Sequence, residues 1–371
     1  MVILNYSRRS ITFLKPLTNY LRFFGILPDY DFETKTLTNS LIYPISSCVT
    51  FVAIVFLVTV DLSAILANVA AFGIEIFQVC EILTHFFGVA CLFWCRYDCH
   101  VKRKVWEHFL RSMAKIESKE YLNADDTEQN FCLNPFVQFV SLNVLLLGGY
   151  VARFAVDDYY NDIGFLGYLP LMIFSFENML VSFVISSLAI SFKNKLERIN
   201  ELLQNCVGRE SLEVDEVRKA KSLYLAVNKL VDEYNNLFGK QLLFMPLLCL
   251  CKVLTVTLVV CFRGRLIRFA SNILHILFAI FMMMMQSVLM YCCDTASRES
   301  QNILATCHAI QDQFLIYSIQ HEVLEDLAVK VLTRPVKFSA MNYFEINRST
   351  MFALISNTVM YFIAFVQFSN T

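Results

Sequence analysis

The sequence predicts an all-α polytopic membrane protein. Seven transmembrane helices are expected, with the N-terminus cytoplasmic, the C-terminus extracellular, and long helices extending into the cytoplasm. Three observations carry this. Apolar residues make up 57% of the 371-residue chain and charged residues only 17%, and the apolar ones fall in blocks long enough to cross a bilayer. Basic residues collect in alternate connections between those blocks. The longer connections carry helical apolar periodicity.

In chain order, residues 1–40 form a polar N-terminal segment with Arg8, Arg9, Lys15, Arg22 and Lys35. No cleavable signal is expected, so the first span must act as its own insertion signal. Spans are placed near 41–60, 64–94, 136–155, 164–192, 241–262, 271–293 and 349–369. The second and fourth are too long for one upright crossing and should tilt or run past the membrane. The N-terminal segment and the 2–3, 4–5 and 6–7 connections hold 26 of the 31 Lys and Arg residues. The opposite side holds Arg263, Arg265 and Arg268, with Arg153 near the end of span three. Positive-inside therefore sets the orientation. A net charge of −1 says little beside this distribution. The inverted topology, together with the absence of Asp-Arg-Tyr after span three and Asn-Pro-x-x-Tyr in span seven, disfavours a G-protein-coupled receptor.

The inner connections read as amphipathic helix. Leu196, Ile199, Leu202 and Leu203 precede a turn near Gly208. Val217, Ala220, Leu223, Val227, Leu230, Val231, Tyr234 and Leu237 follow. Residues 296–332 have the same character, with Ile303, Ile310, Phe314, Ile319, Leu324 and Leu327. The plain reading packs these stripes on one another within one subunit. The sharper one runs spans four to six into a cytoplasmic bundle that also joins subunits. Four segments result: 1–40, the cytoplasmic N-terminus; 41–293, spans one to six; 294–348, a cytoplasmic helical anchor; and 349–371, the last span.

Enzyme signatures are missing. His321-Glu322 begins like a zinc motif, but no second His follows at the required spacing. There is no phosphate loop, no GxSxG and no CxxC, and no nucleic-acid partner or cofactor is implied. The thirteen cysteines read as apolar packers or reduced thiols, with no zinc spacing among them.

Polar groups inside the spans are more informative. Glu75, Gln78, Glu81 and His85 lie in span two, Glu177 and Asn178 in span four, Lys252 in span five, and Asn272 and His275 in span six. A lone ionised group at such depth costs several kcal/mol, so pairing or water must compensate. One reading is a structural ion pair of Lys252 with Glu177 or Glu81. The other is a water-filled, outward-facing pocket lined by some of Glu75, Gln78, Glu177 and His275. Asn143, Tyr150 and Tyr168 would add stacking and hydrogen bonds there.

The closing segment, Ser349 to Thr371, carries no charge. At 100° per residue Ser349, Ser356 and Gln367 fall almost on one line, and Thr350, Asn357 and Phe368 on the next. Such a polar stripe should face protein or water rather than lipid. Helix packing within one subunit would be the plainer use of it.

These features resemble the insect gustatory receptors, part of the seven-transmembrane insect chemoreceptor superfamily. That family carries Thr-Tyr, five apolar residues and Gln-Phe in its last span. Here Tyr361, Phe-Ile-Ala-Phe-Val, Gln367 and Phe368 match in identity and spacing, while Met360 replaces the Thr. The segment from Phe338 through Phe344 to Ser349 resembles the family's lead-in. The resemblance implies a ligand-gated, non-selective cation channel that detects small organic tastants. Its plasma-membrane home would be the sensory neuron, its assembly a homo- or hetero-tetramer with other gustatory receptors, embedded in membrane lipid. The last span would line a central pore, with Gln367 and Phe368 at the extracellular gate and Tyr361 deeper. Ligand would bind in the outer half of spans one to six. Four copies of the stripe through Ser356 would give a wettable wall, with Ile363, Ala364 and Phe368 as an apolar constriction. The missing charge ring predicts weak ion selectivity. Compact length favours bitter or other non-volatile compounds over sugars. A metabotropic chemoreceptor of inverted topology and a small-molecule transporter are the competing functions.

Overall fold

The computed structural model describes residues 18–31, 34, 36–37, 42–72, 76–118, 148, 165–205, 214–263, 269–314 and 318–369. Expected span three, at 136–155, lies almost entirely outside them.

Helix α1 (Thr18–Phe23) and a two-stranded hairpin, β1 (Tyr30–Asp31) paired with β2 (Thr36–Leu37), precede the apolar helices. Next come α2 (Ile42–Phe72), α3 (Ile76–Val101), α4 (Arg103–Ser118) and α5 (Phe165–Gln204). Then follow α6 (Val214–Arg263), α7 (Phe269–Gln311) and α8 (Ile319–Thr333). A second hairpin, β3 (Ser339–Ala340) with β4 (Phe344–Glu345), leads into α9 (Arg348–Ser369). Among the described residues, five helices are long and apolar enough to cross a membrane: α2, α3, α5, α6 and α7.

Two boundaries differ from the hydropathy reading. A break was expected at 61–63, where Asp61 and Ser63 lower the hydropathy, yet α2 continues unbroken to Phe72. One charge interrupts an apolar run without breaking a helix. No Gly or Pro occurs between Val60 and Phe72, and Gly73 follows the helix end. Span two accordingly starts at Ile76 and ends at Val101, later than expected at both ends.

The three longest helices contain 40, 50 and 43 residues, α5, α6 and α7 in turn. At 1.5 Å per residue, α6 spans roughly 75 Å, more than twice a hydrocarbon core. Pro246 sits within it; Pro removes one backbone hydrogen bond, a loss that neighbouring packed helices tolerate. Beyond any membrane-spanning part, the three extensions pack on each other. Leu196, Ile199 and Leu203 of α5, Val217, Val227, Tyr234 and Leu237 of α6, and Ile303 and Ile310 of α7 are all buried in one core. The stripes therefore serve packing within the chain, apart from Ile319, which is exposed at the start of α8.

Around these extensions gather α4, α8 and the second hairpin. Apolar α4 residues Trp106, Phe109, Leu110, Met113 and Ile116 enter the same core, Trp106 meeting Phe238 edge-on at 5.3 Å. Ser318 caps α8 by accepting the His321 N–H. Phe338 lies among Phe192 and Tyr234. The β3–β4 turn places Met341 and Asn342 at φ 51° and 62°. Asn tolerates this left-handed region, whereas Met adopts it at a cost of about 1–2 kcal/mol. The turn lies so close to α6 that a Cβ on Gly239 would stand 3.2 Å from the Met341 nitrogen.

Candidate functional site

Helix α9, uncharged beyond its first residue Arg348, opens at a fixed anchor. Asn347 accepts the Thr350 N–H at 2.9 Å, an N-cap for the helix. Arg348 pairs with Asp294 of α7, Nε to Oδ2 2.9 Å, and lies over the Tyr291 ring at 4.7 Å. Asp294 also holds Arg298 at 2.8 Å. The segment leading into α9 is tied to the bundle as well. Tyr224 and Asn228 of α6 donate to the Arg334 carbonyl, and the Asn235 carboxamide oxygen accepts the Ser339 N–H at 3.0 Å.

Past this anchor, α9 is largely uncovered. Ser349, Ser356, Asn357, Met360, Tyr361, Ile363 and Gln367 are exposed, Ala364 is half-exposed, and Thr358 is buried. The helix holds Phe368, whose side chain is outside the described set. Among the described residues, the stripe Ser349–Ser356–Gln367 is left exposed. Met360 falls 20° from the Ser349–Gln367 line by helical phase and so belongs to the same face.

The intramembrane polar groups sort differently. Glu177 is buried on α5, and its Oε1 meets Arg96 Nη2 of α3 at 2.8 Å, so its partner is Arg96 rather than Lys252. The hydropathy bounds, which end span two at residue 94, put Arg96 in the basic 2–3 connection. Because α3 runs on to Val101, it instead lies inside the helix with its side chain 7% exposed. It also reaches the Ser47 carbonyl at 3.3 Å and stacks on Phe51 at 5.4 Å. The other carboxylate oxygen of Glu177 has no hydrogen-bond partner. Lys252 is buried on α6 and Glu81 half-buried on α3, neither of them paired with Glu177. Gln78 and His85 are buried on α3. Glu75, Asn143 and Tyr150 lie outside the described residues. Tyr168 and His275 fall within α5 and α7, with side chains outside the described set.

One small cavity opens between α5, α6 and α7, lined by Asn178, Met179, Ser182, Met245, Leu248, Phe281, Met282, Met285 and Gln286. At about 10 Å³ it approaches the space one water needs. An organic molecule would enter only if side chains moved, and Met is the residue best suited to that. Of the expected pocket residues that are described, Gln78 and Glu177, neither lines it, although Asn178, next to Glu177, does. Sequence reasoning passed over Gln286, a buried polar residue in span six directly after the run Met282–Met285.

A second polar joint ties α3 to α6. Asp98 pairs with Lys102 and Lys240, both at 3.3 Å, and the Lys240 ammonium sits 3.6 Å from the Trp94 ring centre.

Comparison with known proteins gives this arrangement a family. The 7tm Chemosensory receptor family matches residues 14–371. The fold is similar to the insect olfactory receptor OR5 from Machilis hrabei, with a TM-score of 0.66 at 11% identity, covering 96% of this chain and 98% of that one. The same receptor in complex with eugenol gives 0.66 at 10% identity, with the same coverage. No curated protein sequence matches. At such identity the structural likeness concerns the fold, while the match across nearly the whole sequence identifies the lineage. The chain belongs to the seven-transmembrane chemosensory receptor family.

Proposed function

We propose that this chain is a gustatory receptor acting as a ligand-gated, non-selective cation channel for small organic tastants, bitter or other non-volatile compounds before sugars. It works in the plasma membrane of sensory neurons as a homo- or hetero-tetramer with other gustatory receptors. The N-terminus is cytoplasmic and the C-terminus extracellular.

The observation that carries this reading is the uncovered polar stripe of α9. A helix with no charge after its first residue belongs in the membrane, but lipid cannot satisfy Ser356, Asn357 and Gln367. Four such helices around an axis would turn that face into a wettable conduit. Ile363, Ala364 and Phe368 then narrow it, Tyr361 lies deeper, and the absence of fixed charge leaves cations poorly discriminated. The Asp294–Arg348 anchor holds the opposite end of α9 still, so motion in α7 reaches the conduit through a short lever.

Ligand binding is assigned to the bundle above the Arg96–Glu177 pair. Gln78, Glu75, Asn143, Tyr150, Tyr168, Glu177 and His275 are its candidate contacts. The binding of eugenol by OR5 supports a small organic ligand of this general size. Expression in a cell without taste signalling, followed by excised-patch recording, tests the proposal. Ligand-evoked current that persists in the patch and changes with Gln367→Ala supports it. Current that requires soluble G-protein components, or stoichiometric uptake without channel-sized current, contradicts it.

A further inference from the structure

The outer face of α3 and α4 forms one continuous stripe whose chemistry changes abruptly. A single turn residue, Lys102, separates α3 from α4; its N–H donates to Asp98 O and its carbonyl accepts the Trp106 N–H, both at 3.0 Å. At spacings of three and four, Phe93, Tyr97 and Val101 are exposed, and Lys104, His108, Arg111 and Lys115 continue the same exposed line. Phe93, Tyr97 and Val101 are apolar or aromatic, with exposed His100 beside Val101; from Lys104 on the line is basic or His. The opposite face of α4 is spent in the core. Residues 102–115 contain five Lys and Arg against one acid, Glu107. Glu107 pairs with Arg111 at 2.6 Å, and Glu233 of α6 with His108 at 2.8 Å.

We propose that the basic part of this stripe is a binding surface for anionic phospholipid headgroups, polyphosphoinositides in particular, in the leaflet bordering Val101. The inference rests on the proposed orientation, which makes that leaflet cytoplasmic. Exposed Phe93 and Tyr97 beside Trp94 are the kind of aromatic belt that sits at headgroup level. At 1.5 Å of helix per residue Lys104 can stand at most roughly 5 Å past Val101, Arg111 roughly 15 Å and Lys115 roughly 20 Å. Screening confines attraction to about 8 Å at physiological salt, although long basic side chains reach back toward the interface. Lys104 therefore contributes most, Arg111 less because of distance and Glu107, and Lys115 least.

The full-length receptor would be reconstituted in phosphatidylcholine nanodiscs doped with phosphatidylinositol 4,5-bisphosphate, and retained phosphoinositide counted by native mass spectrometry. Lys104→Gln should lower retention about fivefold, the effect expected of one basic residue at a charged surface. Lys104→Arg should keep it, which separates charge from misfolding, and Lys115→Gln should differ little from wild type. Equal retention in wild type and Lys104→Gln overturns the proposal, as does displacement by soluble inositol trisphosphate as complete as by the lipid. Labelling of Lys104→Cys by an impermeant maleimide, against the unmodified chain in intact cells, tests the orientation separately. Labelling from outside overturns that orientation and the inference resting on it. Protection together with unchanged retention overturns the lipid surface alone.

Discussion

Arg348, the first residue of α9, is clamped by Asp294 of α7, Nε to Oδ2 2.9 Å, at the point where the helix, uncharged beyond it, leaves the packed bundle. The carboxylate does three things there. It neutralises Arg348, it holds Arg298 one turn along its own helix, and it places negative charge at the positive end of the α9 dipole. Arg348 is the one charged residue of α9, and it stands where the helix is still held by the bundle.

Asp294→Asn should weaken this joint without changing its volume. With Arg348 about a third exposed, the expected loss is about 1–2 kcal/mol of stability, below the cost of breaking a fully buried pair. Thermal unfolding of the solubilised receptor measures it. A double-mutant cycle with Arg348→Gln should recover a coupling term, whereas additive losses would mean that the two residues act independently.

The Arg96–Glu177 pair is more deeply buried, with side chains 7% and 1% exposed, and should respond more strongly. Arg96→Met alone leaves Glu177 uncompensated and should cost about 3–5 kcal/mol. Arg96→Met combined with Glu177→Leu removes both charges and should regain much of that loss. Thermal stability of the two variants side by side checks the order; a double variant no more stable than the single one would contradict it.

Gly25 holds φ +67° where the chain turns from α1 toward the first hairpin, and a Cβ there would stand 2.1 Å from Ser47 Oγ. The backbone strain alone is about 1–2 kcal/mol for a non-Gly residue. Ser47 and Arg96 border the same spot, so the clash would spread into the buried pair. Gly25→Ala should lower the recovery of monodisperse receptor in size-exclusion chromatography. A wild-type profile would show that the turn can rearrange.

Met360 provides a test of the stripe itself. If α9 lines a conduit, Met360→Thr replaces a flexible apolar side chain with a small hydroxyl on the wetted line. Single-channel conductance should then rise with ligand sensitivity little changed. An unaltered conductance would remove Met360 from the conduit.

Much of the architecture was legible because it follows from periodicity. The stripes from Leu196 to Leu203 and from Val217 to Leu237 are buried as their spacing implies, apart from half-buried Leu202. What escaped notice depends on tertiary context. Asp61 looked like a loop because hydropathy averages over neighbours, yet no local breaker accompanies it. Arg96 was counted as loop charge because a buried guanidinium is recognisable only by its partner, 81 positions away. The hairpins pair only two residues per strand, too few for an alternating pattern. The left-handed turn at Met341 and Asn342 contains no Gly to announce it.

The most direct test of a pore lined by α9 is cysteine accessibility along that helix. Ser356→Cys, Gln367→Cys and, as an outward-facing control on α2, Val52→Cys would each be expressed and treated with a charged, impermeant thiol reagent during ligand-evoked current. The account predicts block at Gln367 and Ser356, faster at Ser356 when ligand opens the channel, and none at Val52. Current indifferent to modification at both α9 positions, with labelling verified, would contradict it.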